Sequence, residues 1–131
     1  MSRVASGLIV AAACFNLAFA IFHLFFWRLF RWQQELSRLN MANRGIMQVL
    51  NLCLIYVFAS TAALLFLFPI EVAGTELGRF LLAAMTGFWL LRAILQPMFF
   101  RLQHPFSKTL FGLFILGTTI HGLAWWVVDD L

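Results

Sequence analysis

Apolar residues run along the chain in four long stretches that are separated by short polar segments. The stretches cover about residues 6–27, 45–69, 80–100 and 109–128. A helix that crosses a bilayer needs about 20 apolar residues, and each stretch reaches that length. The pattern predicts an all-α integral membrane protein. We expect an antiparallel bundle of four transmembrane helices that forms a single domain over residues 1–131.

The polar segments between the stretches carry residues that begin or interrupt helices. Asn40 and Asn43 lie where the second helix needs an N-cap, and Ser107 is placed to cap the fourth. Pro69 interrupts the chain between the second and third stretches. The segment WRLFRWQQELSRL (27–39) has apolar and aromatic residues on a helical period. It is expected either to extend the first helix or to lie at the membrane interface.

The polar segments differ in charge, and this difference predicts how the chain is oriented. Residues 28–44 hold four arginines and one acid, and residues 101–108 hold one arginine and one lysine. Residues 70–79 hold two acids and one arginine, and the chain ends with Asp129 and Asp130 before its last leucine. Because basic loops stay in the cytoplasm, we expect both termini outside it, in a plasma or bacterial inner membrane.

Composition supports the same class of protein. The chain is 63% hydrophobic and 11% charged, whereas soluble domains are about 25% charged. The net charge of +4 is expected to reflect topology, and nucleic-acid binding is not expected because no basic module is present. Cys14 and Cys53 lie inside apolar stretches and are predicted to be free thiols. The first stretch continues past Cys14, which indicates a retained span and not a cleaved signal.

Polar side chains recur inside the apolar stretches at helical spacing. Arg44, Gln48 and Asn51 share one face of the second helix, and Arg92 and Gln96 share one face of the third. At 1.5 Å per residue, the four inside the spans lie about 6–13 Å from the cytoplasmic ends of their helices. A bundle allows these faces to meet. The spacing therefore predicts one polar pocket in the cytoplasmic half of the bundle.

Two histidines and an asparagine extend this pattern to the first and fourth helices. His23 lies about 7 Å from the cytoplasmic end and shares a face with Asn16. Asn16 and His121 lie about 18–19 Å deep and are predicted to form a secondary polar pair. His23 is the candidate acid or base, because an imidazole titrates near neutral pH. A hydrogen-bonded structural role is the alternative for each histidine, and their different depths argue against a shared metal ion.

Arg92 is a charged residue well inside a predicted span. Such residues are costly and usually functional, although a long arginine side chain also reaches back toward the interface. Glu35 is the only acid on the cytoplasmic side that could neutralise it. Arg92 is therefore the candidate anion-binding residue, and Gln96, Gln48 and Asn51 are candidates to orient the ligand. The alternative for these amides is polar packing between helices.

The ligand that fits these residues has an anionic head and an apolar tail. Helices two and four begin on the cytoplasmic side, where their N-termini favour anions. A lipid phosphate, a fatty carboxylate, a quinone-like enolate or an acidic thiol cofactor satisfies this description. No HExxH, P-loop, GxSxG or Rossmann pattern occurs, so neither the cofactor nor a reaction is identified.

The chain resembles the microsomal glutathione transferase and eicosanoid enzyme superfamily in architecture. The segment RLNMANRGIMQVLN (38–51) has Arg, Asn and Gln near the places where that family has polar residues, without the acidic residue that the family carries there. MQVLN (47–51) also resembles small membrane proteins similar to anthrone oxygenases. These residues are too few for an assignment, and no family is assigned.

Two functions of different classes follow. The first is a membrane protein that binds, and in the enzymatic version transforms, an anionic amphiphile. The alternative is a non-catalytic membrane subunit or assembly factor whose polar residues contact partner helices. The pairs Ala83/Gly87 and Thr118/Gly122 allow close helix approach, either in a homo-oligomer or within one chain. A transporter lacks support because no inverted repeat is found.

Overall fold

The computed structural model describes residues 1–129. Asp130, which contributes to the topology prediction, lies outside the described residues, as does the side chain of Asp129. The elements in chain order are α1 (Arg3–Leu24), α2 (Phe26–Leu29), α3 (Trp32–Glu35), a 3-10 turn (Leu36–Arg38), α4 (Met41–Leu67), α5 (Pro69–Gly74), α6 (Glu76–Phe99) and α7 (Pro105–Asp129).

Four of these helices, α1, α4, α6 and α7, are long and apolar enough to cross a membrane. The prediction of an all-α chain with four such helices is therefore confirmed. Each long helix begins about one turn before the apolar stretch that predicted it. The reason is that the first turn of a helix is often polar, so an apolar count misses it.

The helix N-termini test the predicted caps. The backbone N–H of Asn43 donates to Oδ1 of Asn40 at 2.8 Å, so Asn40 caps α4 as predicted. The prediction for Ser107 is wrong, because α7 begins earlier, at Pro105. His104 precedes that helix, and its Nδ1 accepts a hydrogen bond from the N–H of Phe106 at 3.2 Å. Ser107 is thereby left free for a contact with another helix.

The chain divides into two compact units. One unit contains residues 1–12 and the chain from residue 65 onward, and the other contains residues 13–64. The first unit includes α5, α6 and α7, and the second includes α2, α3 and most of α4.

In the first unit, α6 and α7 form an antiparallel hairpin joined by residues 100–104. Gln96 contacts Ser107 near the connection, and Trp89 stacks on Phe114 farther along, with ring centroids 6.1 Å apart. The buried residues of α6 are Gly78, Leu82, Met85, Trp89, Ala93 and Gln96. Those of α7 include Ser107, Phe114, His121, Ala124 and Val128. Steps of three, four and seven residues are typical of a helix seam of this kind.

The small-residue pairs have different surroundings in this hairpin. A Cβ added at Gly122 would lie 3.4 Å from Cγ2 of Thr86, so Gly122 serves close packing of α7 on α6. Gly87 is exposed, and a Cβ added there would meet nothing within 4 Å. In the pair Thr118/Gly122, the glycine therefore packs against α6 of the same chain. In the pair Ala83/Gly87, the glycine has no such neighbour among the described residues.

A close backbone crossing fixes the corner between α5 and α6. The hydroxyl of Thr75 accepts from the N–H of Gly78 at 3.0 Å and caps α6. A Cβ at Gly78 would overlap the carbonyl oxygen and Cα of Val72 and lie 2.6 Å from its carbonyl carbon. Glycine is therefore required at this position because no side chain fits between the two helices.

In the second unit, aromatic side chains join the C-terminal half of α1 to α4. The rings of Phe19 and Phe58 lie 6.1 Å apart between centroids, and both are buried. The ring of His23 lies 5.3 Å from that of Phe58. Asn16 is also completely buried on α1.

The predicted amphipathic segment after α1 forms short helices that change direction. Arg31, between α2 and α3, has φ 52 and ψ 43, in the left-handed region that non-glycine residues rarely adopt. Trp32 and Leu36 then turn inward and are buried. The segment therefore does not continue α1 as one helix.

The long helices expose much of their apolar surface. In the most apolar window of each, between 22% and 39% of residues are buried. Large side chains such as Leu52, Leu91 and Ile115 point outward. Water-soluble helices bury a face of this kind, so the exposed faces fit an apolar surrounding.

Candidate functional site

Arg92 lies on α6 among aromatic rings. Its guanidinium carbon is 4.3 Å from the ring centroid of Phe114 and 5.7 Å from that of Phe100. Among the side chains that the structure describes, it makes no ion pair and no hydrogen bond through its own side chain. Glu35, its one candidate partner, pairs instead with Arg38 at 3.5 Å. Cation–π contacts therefore hold the Arg92 side chain, and no carboxylate that the structure describes neutralises it.

Gln96 lies one helical turn beyond Arg92 and is 1% exposed. Its Nε2 donates to Oγ of Ser107 on α7 at 2.9 Å, which links the two helices. Its Oε1 is buried and has no hydrogen-bond partner among the described residues. Residues at i and i+4 lie about 5–6 Å apart on one helix face. A cationic donor and an unpaired acceptor are thus neighbours on α6.

His121 is completely buried on α7. Its Nδ1–H donates to the carbonyl of Gly117 at 2.7 Å, and its ring lies 6.2 Å from that of Trp89. These contacts favour the structural role for His121. Asn16 is equally buried in the other unit, and the pairing of Asn16 with His121 stays a prediction.

His23 and Asn51 meet at the C-terminal end of α1. The Nδ1–H of His23 donates to the carbonyl of Phe19 at 2.8 Å, and its ring stacks on Phe26 at 4.3 Å. Nδ2 of Asn51 donates to the backbone carbonyl of His23 at 3.0 Å. The last carbonyls of a helix lack partners within it, so Asn51 satisfies one of them. A catalytic role for His23 and a ligand contact for Asn51 stay predictions beside these structural roles.

The side-chain oxygen of Asn51 takes no part in this contact. The residue is 3% exposed, and its Oδ1 is buried without a hydrogen-bond partner among residues 1–129. Unpaired buried acceptors are uncommon and call for a specific explanation.

Arg44 and Gln48, the other two predicted residues of α4, line an open groove of about 550 Å³ in the second unit. The groove is formed by the segment after α1 and the start of α4. Its lining residues are Trp27, Arg28, Trp32, Gln33, Leu36, Ser37, Arg44 and Gln48. Gln33 and the two tryptophans were missed as site residues from the sequence.

The predicted site residues thus fall into three local groups. Arg44 and Gln48 share the groove, His23 contacts Asn51, and Gln96 follows Arg92 on the hairpin. One pocket shared by all of them stays a prediction. No group of three His, Cys, Asp or Glu side chains in residues 1–129 is placed to hold a metal ion, and Cys14 and Cys53 are free and exposed.

Comparisons with known proteins do not identify a family for this geometry. No protein-family model matches the chain, and searches of curated proteins and of solved structures found no match.

Proposed function

We propose that this chain is an integral membrane protein in which α1, α4, α6 and α7 form one antiparallel transmembrane bundle. The exposed apolar faces of these helices support this placement, since lipid tails are as apolar as the side chains that they would cover. Complete or nearly complete burial of polar side chains supports it too, because intramembrane polar groups face the protein interior. The buried polar residues of the long helices include Asn16, Asn51, Gln96 and His121. Both termini lie outside the cytoplasm of a plasma or bacterial inner membrane in this proposal.

The proposed function is binding of an anionic amphiphile by the α6–α7 hairpin. The observation that carries it is Arg92, a charge on a long apolar helix with no counter-ion among the described side chains, one turn before Gln96, whose oxygen is buried and unpaired among the same residues. Arg92 offers donors and Gln96 offers an acceptor. A singly protonated phosphate presents a negative charge, acceptors and a donor, so this head group satisfies both residues, whereas a carboxylate, an enolate or a thiolate satisfies Arg92 alone.

The aromatic contacts of Arg92 favour this role. Rings near a guanidinium group contact its face, which leaves the N–H edge available in the plane of the group. Phe114 lies close to the guanidinium carbon, and Phe100 lies farther away near the end of α6. An anion approaching the free edge can take two parallel hydrogen bonds. The apolar tail of the ligand lies along the exposed faces of the hairpin.

Binding is the proposal, and a reaction stays a prediction. His23 has the chemistry of an acid or base, but its Nδ1–H already donates to the carbonyl of Phe19. Gln48, Asn51 and Arg44 are proposed to contribute only if the three groups of polar residues share one pocket. The head group is a lipid phosphate, a fatty carboxylate, a quinone-like enolate or an acidic thiol.

The test is mass spectrometry of small molecules extracted from the full chain after purification in mild detergent. The wild type is expected to carry an acidic amphiphile. Arg92→Gln should lose it, because the charge is gone, and Arg92→Lys should lose it too, because lysine lacks the planar fork. Arg101→Gln is the matched control, since it removes the same charge from an exposed residue after α6. Oleate and lysophosphatidic acid serve as added probes for all four proteins.

Equal ligand retention by wild type and Arg92→Gln would contradict the proposal. Retention by Arg92→Lys alone would show that a point charge at this depth suffices and would rule out the two parallel hydrogen bonds. Circular dichroism checks that each variant keeps its helix content, so loss of ligand is not confused with loss of fold.

The alternative function, a non-catalytic membrane subunit or assembly factor, draws on a different observation. Gly87 is exposed, has open space around it and follows Ala83 by one turn, which permits a partner helix or a second copy to approach closely. Co-purification of a membrane protein that is lost in Gly87→Leu and kept in Arg92→Gln would favour this function. A shift from oligomer to monomer in Gly87→Leu would favour self-association.

A further inference from the structure

The groove in the second unit combines two arginines from separate elements. Arg28 belongs to α2 and Arg44 to the first turn of α4, and both line the same open volume of about 550 Å³. Ligand sites typically have volumes of about 300–1,000 Å³. The groove is therefore large enough for a polar head group. Its position lies at the end of α1, where the predicted span meets the first polar segment.

The charges of the groove arginines lack partners, in contrast to their neighbours in sequence. Arg31 donates to Oε1 of Gln34 at 2.6 Å, and Arg38 pairs with Glu35. The side chains of Arg28 and Arg44 make no hydrogen bond or ion pair with any residue that the structure describes. Arg31 and Arg38 therefore have side-chain partners close in sequence. Arg28 and Arg44, which line the groove, have none among the described residues.

The remaining walls suit a group at a membrane surface. Gln48 lies one turn after Arg44, and Gln33 and Ser37 add further hydrogen-bonding groups. Trp27 and Trp32 pack edge to face with ring centroids 5.0 Å apart. Tryptophan rings favour the level of lipid head groups, and basic pockets at the ends of membrane helices bind anionic lipid head groups.

We propose that this groove binds the phosphate head group of an anionic membrane lipid, with Arg28 and Arg44 as the charged ligands. Two guanidinium groups match a head group with more than one negative charge, such as the phosphomonoester of phosphatidic acid. This inference rests on the membrane placement proposed above. It does not rest on the Arg92 site, and the two sites are tested by different variants.

The experiment measures lipid retention by the full chain with native mass spectrometry in detergent. The protein is titrated with phosphatidic acid and, separately, with phosphatidylcholine. Arg28→Gln and Arg44→Gln are each expected to weaken phosphatidic acid binding by about tenfold, the effect of about 1.4 kcal/mol. The matched controls are Arg31→Gln and Arg38→Gln, which remove the same charge from the same segment. They should stay within about twofold of wild type, because surface charges outside a site contribute little.

An equal loss in all four variants would overturn the proposal, since it would show that overall charge, and not the groove, attracts the lipid. Equal binding of phosphatidylcholine would overturn it as well. Inorganic phosphate is the third probe: displacement of the lipid by millimolar phosphate would overturn the lipid assignment in favour of a free phosphate. No displacement would support it. Preserved helix content in the variants, measured by circular dichroism, confirms that the losses arise at the groove.

Discussion

The hydrogen bond between Gln96 and Ser107 allows a sharp test of how polar groups stabilise the α6–α7 hairpin. Gln96 uses one end of its amide on Ser107 and leaves the other end buried without a partner in the described chain. The two single variants therefore have unequal effects. Ser107→Ala leaves both ends of a buried amide unpaired, whereas Gln96→Met removes the amide together with its unpaired end.

The magnitudes follow from the cost of unpaired buried groups. Leaving a buried donor without its partner costs about 1–3 kcal/mol, although hydrogen bonds between membrane helices average about 0.6 kcal/mol and reach about 1.7. We expect Ser107→Ala to cost about 1–2 kcal/mol. Gln96→Met loses the same bond but removes one unpaired oxygen, and an unbranched apolar side chain of similar size costs under about 1.5 kcal/mol. Its net change is therefore expected within about 1 kcal/mol of zero.

The free energy of unfolding is measured for the full chain, after bound small molecules have been removed, in mixed micelles by titration with a denaturing detergent, followed by circular dichroism. Ser107→Ala should be the less stable variant, and the double variant should resemble Gln96→Met. The order holds for either orientation of the amide, because a serine hydroxyl both donates and accepts. A Gln96→Met variant less stable than Ser107→Ala would refute the reasoning, since it would show that the second amide end has a partner.

Three further predictions concern the frame around the site. Gly78→Ala should destabilise the chain by about 1–3 kcal/mol, because the new Cβ overlaps the backbone of α5. In the same unfolding titration, Gly87→Ala should be neutral or stabilising by up to about 1 kcal/mol, because the space around Gly87 is open. Asn40→Ala should lower the free energy of unfolding by about 1 kcal/mol through loss of the α4 cap, with Asn40→Gly as the milder comparison. In a background without native cysteines, Glu76→Cys should react with an impermeant thiol reagent on intact cells, and Gln103→Cys should react only after permeabilisation. Labelling of Gln103→Cys on intact cells and of Glu76→Cys only after permeabilisation would show the opposite topology.

The lengths of the apolar stretches were sufficient to predict the four long helices, because length and hydropathy decide this feature directly. Short elements were less predictable. The turn at Arg31 depends on a left-handed backbone that arginine does not signal, and the start of α7 depends on His104, which is not among the usual capping residues. Both cases are decided by tertiary neighbours, which a periodic pattern does not contain.

The sequence indicates which polar residues lie inside the long helices but not what they contact. Asn51 and Gln96 lie on buried faces of their helices. Helical spacing assigned both to a ligand, whereas each donates to a neighbouring helix. The partner Ser107 had a usable signal, since it precedes Phe114 and His121 on α7 by seven and fourteen residues and so shares their face.

Packing and ligand binding are not exclusive roles for these amides. A primary amide has a donor end and an acceptor end, and the donor ends of Asn51 and Gln96 are used on a helix carbonyl and on Ser107. These bonds fix where the amides lie. The acceptor ends remain buried and unpaired within residues 1–129, which is unfavourable for an empty protein in an apolar surrounding. Gln96 follows the cationic residue Arg92 by one turn on the same face of α6. In the proposed binding role, a singly protonated phosphate brings both a proton and a negative charge and satisfies both residues, so that the cost carried by the unliganded hairpin becomes affinity.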